Sequence, residues 1–214
     1  MGNFRGLVRV AARAEDELCL IAGPGCPYTL PMAGRPLLTH AVKSLCDAGV
    51  TQILVAIDGS IAEVVAPHVG ELRGAEVHIA IQPDGDDDAT ARAVDKAFGP
   101  GPLAVTFGDT LVAATAGEVL ADATEQVVEL ETAWRYHGTV DGILEANTIA
   151  LDALKRARVG VDITSANIQG RAQIDPSAEL DGAKIRGPVY IGPGARLVET
   201  YVGPYTSIGA GVTL

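Results

Sequence analysis

The chain has 214 residues, of which 48% are hydrophobic, so it is long enough for one large domain or two small ones with a substantial core. Its formal net charge of −11 argues against a general nucleic-acid binder. The sequence contains no run of about 18 apolar residues of the kind that would indicate a membrane span. The three cysteines lack metal-ligand spacing and predict reduced thiols in a cytoplasmic protein.

Strands and helices alternate in the first half of the chain. Apolar runs predict four strands, and apolar residues at helical spacing predict three helices, one of them shortened by a proline. In chain order the segments are LCLIAG (strand, 18–23), PLLTHAVKSLCDAG (helix, 36–49), TQILVAI (strand, 51–57), SIAEVVAPHVGEL (short helix, 60–72), AEVHIAIQ (strand, 75–82), ATARAVDKAF (helix, 89–98) and PLAVTFGD (strand, 102–109). This alternation is typical of an α/β fold, in which helices cover the faces of a parallel sheet.

The candidate site lies where the predicted strands end, because ligands of parallel sheets bind beyond the carboxyl ends of the strands. The stretches after Ile21, Ile57, Gln82 and Phe107 are therefore the candidates. Asp109 follows the last strand beside a glycine, where a carboxylate can hold a hard cation such as Mg²⁺. The alternative interpretation of Asp109, as a turn residue or helix cap, stays open.

The segments that flank these strands also have an interpretation. The acidic run DGDDD at 84–88 is interpreted as a solvated loop, and the alternative that it binds a cation stays open. Thr139 can cap a helix that runs to about Ala157, and Trp134, the single tryptophan, is expected to fill the core.

The second half of the chain has a different period. Apolar residues recur there in steps of five, six and six, so that each set spans seventeen residues, and three sets follow one another. They are Ile163, Ile168, Ile174, Leu180, Ile185, Ile191, Leu197, Val202, Ile208 and Leu214. Three short strands per turn, each with one inward aliphatic side chain, predict a parallel β-helix of three coils. The predicted domains are therefore residues 1–158 and 159–214.

Four segments, in this order, resemble the sugar-1-phosphate nucleotidylyltransferases, and most of all the long glucose-1-phosphate thymidylyltransferases with a C-terminal left-handed β-helix of hexapeptide repeats. They are LPMAGRPLLTHAVKSLCDAGVTQILVAI, VTFGDTLV, HGTVDGILEAN and IRGPVYIGPGARLVETYVGPYTSIGAG. The resemblance covers most of the chain from Leu18 onward. It implies a truncated Rossmann-like nucleotidyltransferase domain followed by a short left-handed parallel β-helix. It also implies Mg²⁺ as cofactor and a nucleotide or sugar phosphate as ligand.

The sequence departs from this family in the segments that bind the nucleotide. The phosphate loop is cut short: Gly23 and Gly25 remain, but the family's Arg is gone and its Lys position falls near Pro27. In the base-binding region Gln82 is kept, whereas Thr90 lies in Ala-Thr-Ala where the family has Gly-Thr-Ala. The two glycines, Gln82 and Thr90 are the candidate remnants of a nucleotide site.

The implied metal site and sugar site are also reduced. Asp109 is retained as the first metal ligand, but Tyr136 stands at the second metal aspartate of the family's W-x-D-x-G pattern, and tyrosine is a poor Mg²⁺ ligand at neutral pH. About two dozen residues separate Asp109 from Trp134, where the family places a far longer sugar-binding lobe.

These losses predict a degenerate, non-catalytic family member that acts by binding or assembly. The alternative is an active sugar-1-phosphate nucleotidylyltransferase that makes an NDP-sugar with a reduced site. A hexapeptide acyltransferase is disfavoured because such enzymes use a histidine base at the repeats, and all four histidines precede the repeats. No polar capping segment follows the third coil, so its open edges predict homo-oligomers or hetero-oligomers formed through the β-helix.

Overall fold

The structure is a computed structural model that describes residues 4–12, 17–23, 25–70, 74–82, 87–154 and 166–214. The chain divides into two compact units. The first comprises Met1–Leu30 and Pro36–Val140, and the second comprises Pro31–Arg35 and Asp141–Leu214. The predicted boundary between residues 158 and 159 lies outside the described residues.

In the described residues the helices are short. They are α1 (Glu17–Ala22), α2 (Leu37–Asp47), α3 (Ala62–Val65) with a 3₁₀ turn at Ala66–His68, α4 (Asp87–Phe98), α5 (Ala116–Asp122) and α6 (Val140–Asp152). None of these described helices has the length and apolar character needed to span a bilayer.

The strands fall into a longer set before residue 140 and a set of very short ones after it. The first set is β1 (Arg5–Val10), β2 (Pro31–Met32), β3 (Arg35–Pro36), β4 (Gln52–Asp58), β5 (Glu76–Gln82), β6 (Leu103–Phe107), β7 (Thr110–Val112), β8 (Val127–Glu129) and β9 (Thr132–Arg135). The second set is β10 (Asn167–Gln169), β11 (Ala172–Ile174), β12 (Glu179–Asp181), β13 (Lys184–Arg186), β14 (Val189–Ile191), β15 (Arg196–Val198), β16 (Tyr201–Val202) and β17 (Thr206–Ile208).

A five-stranded parallel sheet lies at the centre of the first unit, with the strand order β5-β4-β1-β6-β8. Helix α2 buries Leu38, Val42 and Leu45, its predicted apolar positions, in the core on one face. Helix α4 buries Val94 beside Leu54 in the core on the other face. The predicted α/β fold class, with a Rossmann-like parallel sheet, is therefore confirmed.

The segment LCLIAG is helical, so the prediction that it forms the first strand is wrong. It lies in α1, and its Leu20 and Ile21 are 68% and 78% exposed. A run of four apolar residues does not distinguish a short strand from a helix, and this one lacks the burial that a central strand requires. The other predicted strands of this half correspond to β4, β5 and β6, and the predicted helices to α2, α3 and α4.

The first strand is instead β1, RGLVRV, which pairs in parallel with β4 and β6. Its two arginines interrupt the apolar pattern by which buried strands are predicted. Arg5 is nevertheless buried, because its guanidinium contacts Asp95 Oδ1 at 2.6 Å and donates to the carbonyl oxygens of Gly99 and Gly101. A buried charge of this kind is tolerated only when it is paired and hydrogen-bonded.

The second unit contains the predicted parallel β-helix. Its strands form three rows, β10-β13-β16, β11-β14-β17 and β12-β15, and every paired strand is offset by seventeen residues, as in Ile168↔Ile185 and Ile185↔Val202. The aliphatic residues from Ile168 to Ile208 that the period identified pack into one cluster. The handedness of the coil stays a prediction.

The two ends of the predicted period behave differently from its middle. Ile163 lies outside the described residues. Leu214 is 55% exposed, so the prediction that it points inward is wrong. Its row contains only β12 and β15 among the described strands, and the contacts of Leu214 with that row are backbone hydrogen bonds to Arg196 and Val198.

Helix α6 and the turn between β2 and β3 both pack on the β-helix within the second unit. Asn147 Oδ1 accepts hydrogen bonds from Ala33 N at 3.1 Å and from Ser207 Oγ at 2.7 Å. Asp152 ends the helix and pairs with Arg171 Nη2 at 2.6 Å. The helix starts directly after Thr139, as predicted, but ends at Asp152 rather than near residue 157.

A serine hydroxyl joins two neighbouring coils of the β-helix. Ser177 donates to Asp175 Oδ1 from its Oγ at 2.6 Å and from its backbone N at 2.9 Å, and Ser177 Oγ accepts the backbone N–H of Gly194 at 2.9 Å. These hydrogen bonds, first from the side chain and then from the backbone, lower the pKa of the exposed Asp175. The carboxylate therefore stabilises the coil above its unfolded-state pKa, and this contribution is lost as the pH falls through the lowered value.

We expect the Ser177→Ala substitution to raise the pKa of Asp175 toward its ordinary range, because the stronger of its two donors is removed. The Ser177→Thr variant keeps the hydroxyl and is the matched control, in which the pKa stays low. Carboxyl ¹³C chemical shifts followed through a pH titration measure the difference. An unchanged pKa in the alanine variant would contradict this account of the turn.

Candidate functional site

The predicted strand ends meet along one edge of the central sheet. In the parallel register Arg9 lies beside both Ala56 and Phe107, and Asp58 lies beside Gln82. Strands β4, β5 and β6, which precede three of the four stretches singled out from the sequence, therefore end at the same edge. The fourth, after Ile21, follows α1, and the remaining strand end at this edge belongs to β1.

The two loop glycines meet local requirements, a left-handed conformation at Gly23 and a close approach at Gly25. Gly23 has φ +86° and its N–H donates to Cys19 O at 2.9 Å, which is the arrangement of a glycine that terminates a helix. Gly25 has φ +89°, and a Cβ there would lie 2.9 Å from Val64 Cγ1. A glycine is therefore required at position 25 by the close approach of α3. A strand-to-helix loop that cradles a phosphate differs from this arrangement, because Gly23 follows a helix.

The other two candidate nucleotide residues flank the same region of the first unit. Gln82 is the last residue of β5. Thr90 lies in the first turn of α4 and is 7% exposed. The acidic run before Thr90 is only partly a loop, because Asp87 and Asp88 already belong to α4, whereas its first three residues lie outside the described residues.

Asp109 lies in the tight turn between β6 and β7 and is 1% exposed. Its Oδ2 faces the Nε of Arg135 at 3.6 Å, an ion-pair distance that is longer than a hydrogen bond. The two residues are neighbours because β7 and β9 pair antiparallel, with Thr110 opposite Arg135. A carboxylate that has left water is thus neutralised by a side chain of the same unit.

Arg135 is held from a second side by an aromatic ring. Its Cζ lies 4.2 Å from the centroid of the Phe107 ring, a distance typical of a cation–π contact. The side chain of Arg135 is nevertheless 49% exposed, so the guanidinium is both anchored and accessible to solvent.

Tyr136 stands at the position of the implied second metal ligand, and its hydroxyl lies near two cysteine sulfur atoms. The Tyr136 hydroxyl lies 3.8 Å from Cys19 Sγ and 4.0 Å from Cys26 Sγ, and the side chain is 3% exposed. Trp134 is buried, as predicted, and packs edge-on against Tyr136 with ring centroids 6.4 Å apart. The tyrosine thus belongs to the packing of α1 and β9.

The residues present do not fit a magnesium ion. Mg²⁺ takes oxygen ligands and is usually held by one or two carboxylates. Among the described residues Asp109 is the carboxylate at the implied position, and the guanidinium of Arg135 already faces its Oδ2 at 3.6 Å. No group of three or more histidine, cysteine, aspartate or glutamate side chains suited to a metal occurs in the described residues.

Comparison with known proteins supports the resemblance that the motifs suggested. A glucose-1-phosphate thymidylyltransferase from Streptomyces griseus is 32% identical over 75 residues, which are 35% of this chain and 21% of that protein. A glucose-1-phosphate thymidylyltransferase from Streptomyces antibioticus is 31% identical over 84 residues, which are 39% of this chain and 24% of that protein. The chain resembles the sugar-1-phosphate nucleotidylyltransferases. It spans about a quarter or less of the length of these curated relatives.

Two solved structures share part of the fold, and no protein-family model matches the chain. Rv0371c from Mycobacterium tuberculosis H37Rv is 22% identical with a TM-score of 0.39, over 56% of this chain and 60% of that one. A nucleotidyl transferase from Methanothermobacter thermautotroptrophicus is 24% identical with a TM-score of 0.42, over 56% of this chain and 58% of that one. These TM-scores are too low to add to the sequence similarity.

Two residues of the nucleotidylyltransferase-like sheet edge were missed from the sequence. Arg9 lies near the carboxyl end of β1, a strand that was itself not predicted. Arg135 directly precedes Tyr136, in a segment interpreted only for its departure from the W-x-D-x-G pattern. A cation near the carboxyl end of a strand of the parallel sheet is a signal that could have found Arg9, whereas Arg135 lies on β9, outside that sheet, and has no comparable signal.

Proposed function

We propose that this chain is a nucleotidyltransferase-like protein that binds a nucleotide or a sugar phosphate and does not catalyse nucleotidyl transfer. The observation that carries the proposal is the pair of Asp109 and Arg135, in which the retained metal carboxylate is occupied by an arginine. Nucleotidyl transfer is an in-line displacement at phosphorus that depends on metal and cation stabilisation of developing charge.

The magnitude of the expected loss supports the same conclusion. Removing a single preorganised electrostatic contact typically costs about 3 kcal/mol, or on the order of a hundredfold in rate. The loop from Ala22 to Gly34 contains no Lys or Arg, and Tyr136 replaces a carboxylate. Several such contacts are therefore missing together, and we expect their combined loss to slow transfer by several orders of magnitude.

The test is a turnover assay paired with a binding assay. The chain is incubated with dTTP, glucose 1-phosphate and Mg²⁺, and pyrophosphate release and nucleotide-sugar formation are measured beside an active glucose-1-phosphate thymidylyltransferase. We expect product formation at the level of the blank without protein, and calorimetric binding of at least one of the two compounds. Measurable turnover would instead establish the alternative, an active enzyme that makes an NDP-sugar. The predicted self-association through the β-helix stays a prediction.

A further inference from the structure

We propose that the guanidinium of Arg135 takes the place of the divalent cation at the sheet edge, so that a phosphate group binds there without Mg²⁺. The inference rests on the proposed function, since it names the group that holds the ligand. The inference goes beyond the proposed function because it assigns a phosphate-binding residue and predicts that the affinity for the phosphate ligand does not depend on a metal.

The position of the guanidinium is fixed from two directions. Its Nε faces Asp109 Oδ2 at 3.6 Å, and its Cζ lies 4.2 Å from the centroid of the Phe107 ring. A buried carboxylate and an aromatic face together limit the rotamers that the arginine can adopt. Less conformational entropy is therefore lost when a ligand binds than for an arginine on an open surface.

The outer edge of the same guanidinium faces solvent. The side chain is 49% exposed, and in the described residues its polar contact is the one with Asp109 through Nε. The two terminal nitrogens can therefore donate to an incoming anion. A planar guanidinium matches two oxygens of a phosphate with parallel hydrogen bonds, which is the strongest recognition that a protein cation offers this group.

The charge balance opposes a metal at this position. Asp109 and Arg135 sum to zero net charge, whereas a divalent ion on the same carboxylate would stand beside a cation that cannot lose its proton. Arg9 is the register neighbour of Phe107 on β6, and Asp58 ends the adjacent strand β4, so both a guanidinium and a carboxylate belong to this edge. Register neighbours in a sheet carry their side chains on the same face. At the Asp109 carboxylate itself, the neighbouring guanidinium of Arg135 therefore favours an anion over Mg²⁺.

The experiment measures dTTP and glucose 1-phosphate binding by calorimetry, each in millimolar Mg²⁺ and in EDTA, on the full chain. For each ligand that binds, we expect the Kd to agree within about twofold between the two conditions. The Arg135→Gln substitution is expected to weaken binding by about tenfold or more in both, because it removes the charge-assisted bonds to phosphate. Comparing the two ligands distinguishes a nucleotide phosphate from a sugar phosphate.

Two further variants keep the test decisive. Removing Arg135 alone leaves Asp109 buried without its countercharge, which can weaken folding, so the Asp109→Asn and Arg135→Gln double variant is measured beside it. The double variant is expected to bind as weakly as the single one. The Lys43→Gln substitution removes one positive charge from a surface ion pair with Asp47 on α2, and we expect it to leave the Kd unchanged.

Three results would overturn the inference. They are binding that requires Mg²⁺, affinity that survives the loss of Arg135 in the folded double variant, and no binding of either compound by the unmodified chain. Turnover in the transferase assay would refute the proposed function, and absence of binding would refute both proposals, whereas a metal requirement or an affinity that survives the loss of Arg135 would refute this inference alone. The two failures are therefore distinguishable.

Discussion

The Gly187→Ala substitution is expected to destabilise the β-helix by more than about 4 kcal/mol, a value reached only by severe steric or charge defects. A Cβ on residue 187 would lie 1.7 Å from Arg171 O and 2.5 Å from Arg171 C. Both atoms belong to the backbone of the neighbouring coil, so no change of rotamer can relieve the overlap. Arg171 O also accepts the N–H of Val189 at 3.1 Å, and moving it would weaken that ladder hydrogen bond.

A matched control for this substitution exists in the next coil. The coil equivalent of Gly187, seventeen residues later, is position 204, and Gly203 directly precedes it. A Cβ on residue 203 would lie 3.8 Å from Tyr201 Cε1, which is an ordinary contact. Its coil equivalents Gln169 and Arg186 already carry side chains, so Gly203→Ala should change stability by about 0.5 kcal/mol or less. Urea unfolding followed by circular dichroism measures both variants. Equal stability of the two would show that the coils are spaced differently from this structure.

The Gly34→Ala substitution is expected to cost about 3 kcal/mol. Gly34 has φ +79°, a conformation that costs an alanine about 1 kcal/mol. A Cβ at residue 34 would also lie 2.0 Å from Tyr190 Cζ, and overpacking of this kind adds roughly 1–3 kcal/mol. The turn between β2 and β3 therefore rests directly on the ring of Tyr190.

Two comparisons separate the steric part of this cost from the conformational part. Gly49 has φ +90° with nothing within 4 Å of an added Cβ, so Gly49→Ala should cost only the conformational part, about 1 kcal/mol. In a Tyr190→Ala background the overlap disappears, and the cost of Gly34→Ala should fall to a similar value. The variants are Gly34→Ala, Tyr190→Ala, the two combined, and Gly49→Ala. Thermal and urea unfolding measures their stabilities, and the first three together with the unmodified chain form a double-mutant cycle. A cost at Gly34 that is the same with and without the Tyr190 ring would contradict the described contact.

The β-helix could be predicted from the sequence because its signal is repeated and local. Each strand contributes one aliphatic residue at a fixed position, and the same side chains from Ile168 to Ile208 that define the period fill the core. The period does not indicate where the core ends, and so the prediction that Leu214 points inward was wrong. In the first unit the first strand was assigned to LCLIAG, and β1 (RGLVRV) was missed, because apolar character alone does not report burial and because Arg5 is paired inside the fold.

The candidate site could be predicted only in part. Asp109 was placed correctly at the end of β6, because a strand end is a local feature of the sequence. Its contact with Arg135 depends on the antiparallel pairing of β7 with β9, in which a shift of one residue would move Arg135 to the other face. No spacing rule in the sequence determines that register, and so the residue that occupies the carboxylate became apparent only from the fold.

The measurement that tests the central claim most directly is nucleotide-sugar formation from dTTP and glucose 1-phosphate with Mg²⁺, quantified by chromatography against an active thymidylyltransferase. The structure pairs the retained carboxylate Asp109 with Arg135, and this account therefore predicts no product above the blank, while binding is retained in EDTA. Product that accumulates with time and protein concentration, and that disappears when Mg²⁺ is removed, would contradict it.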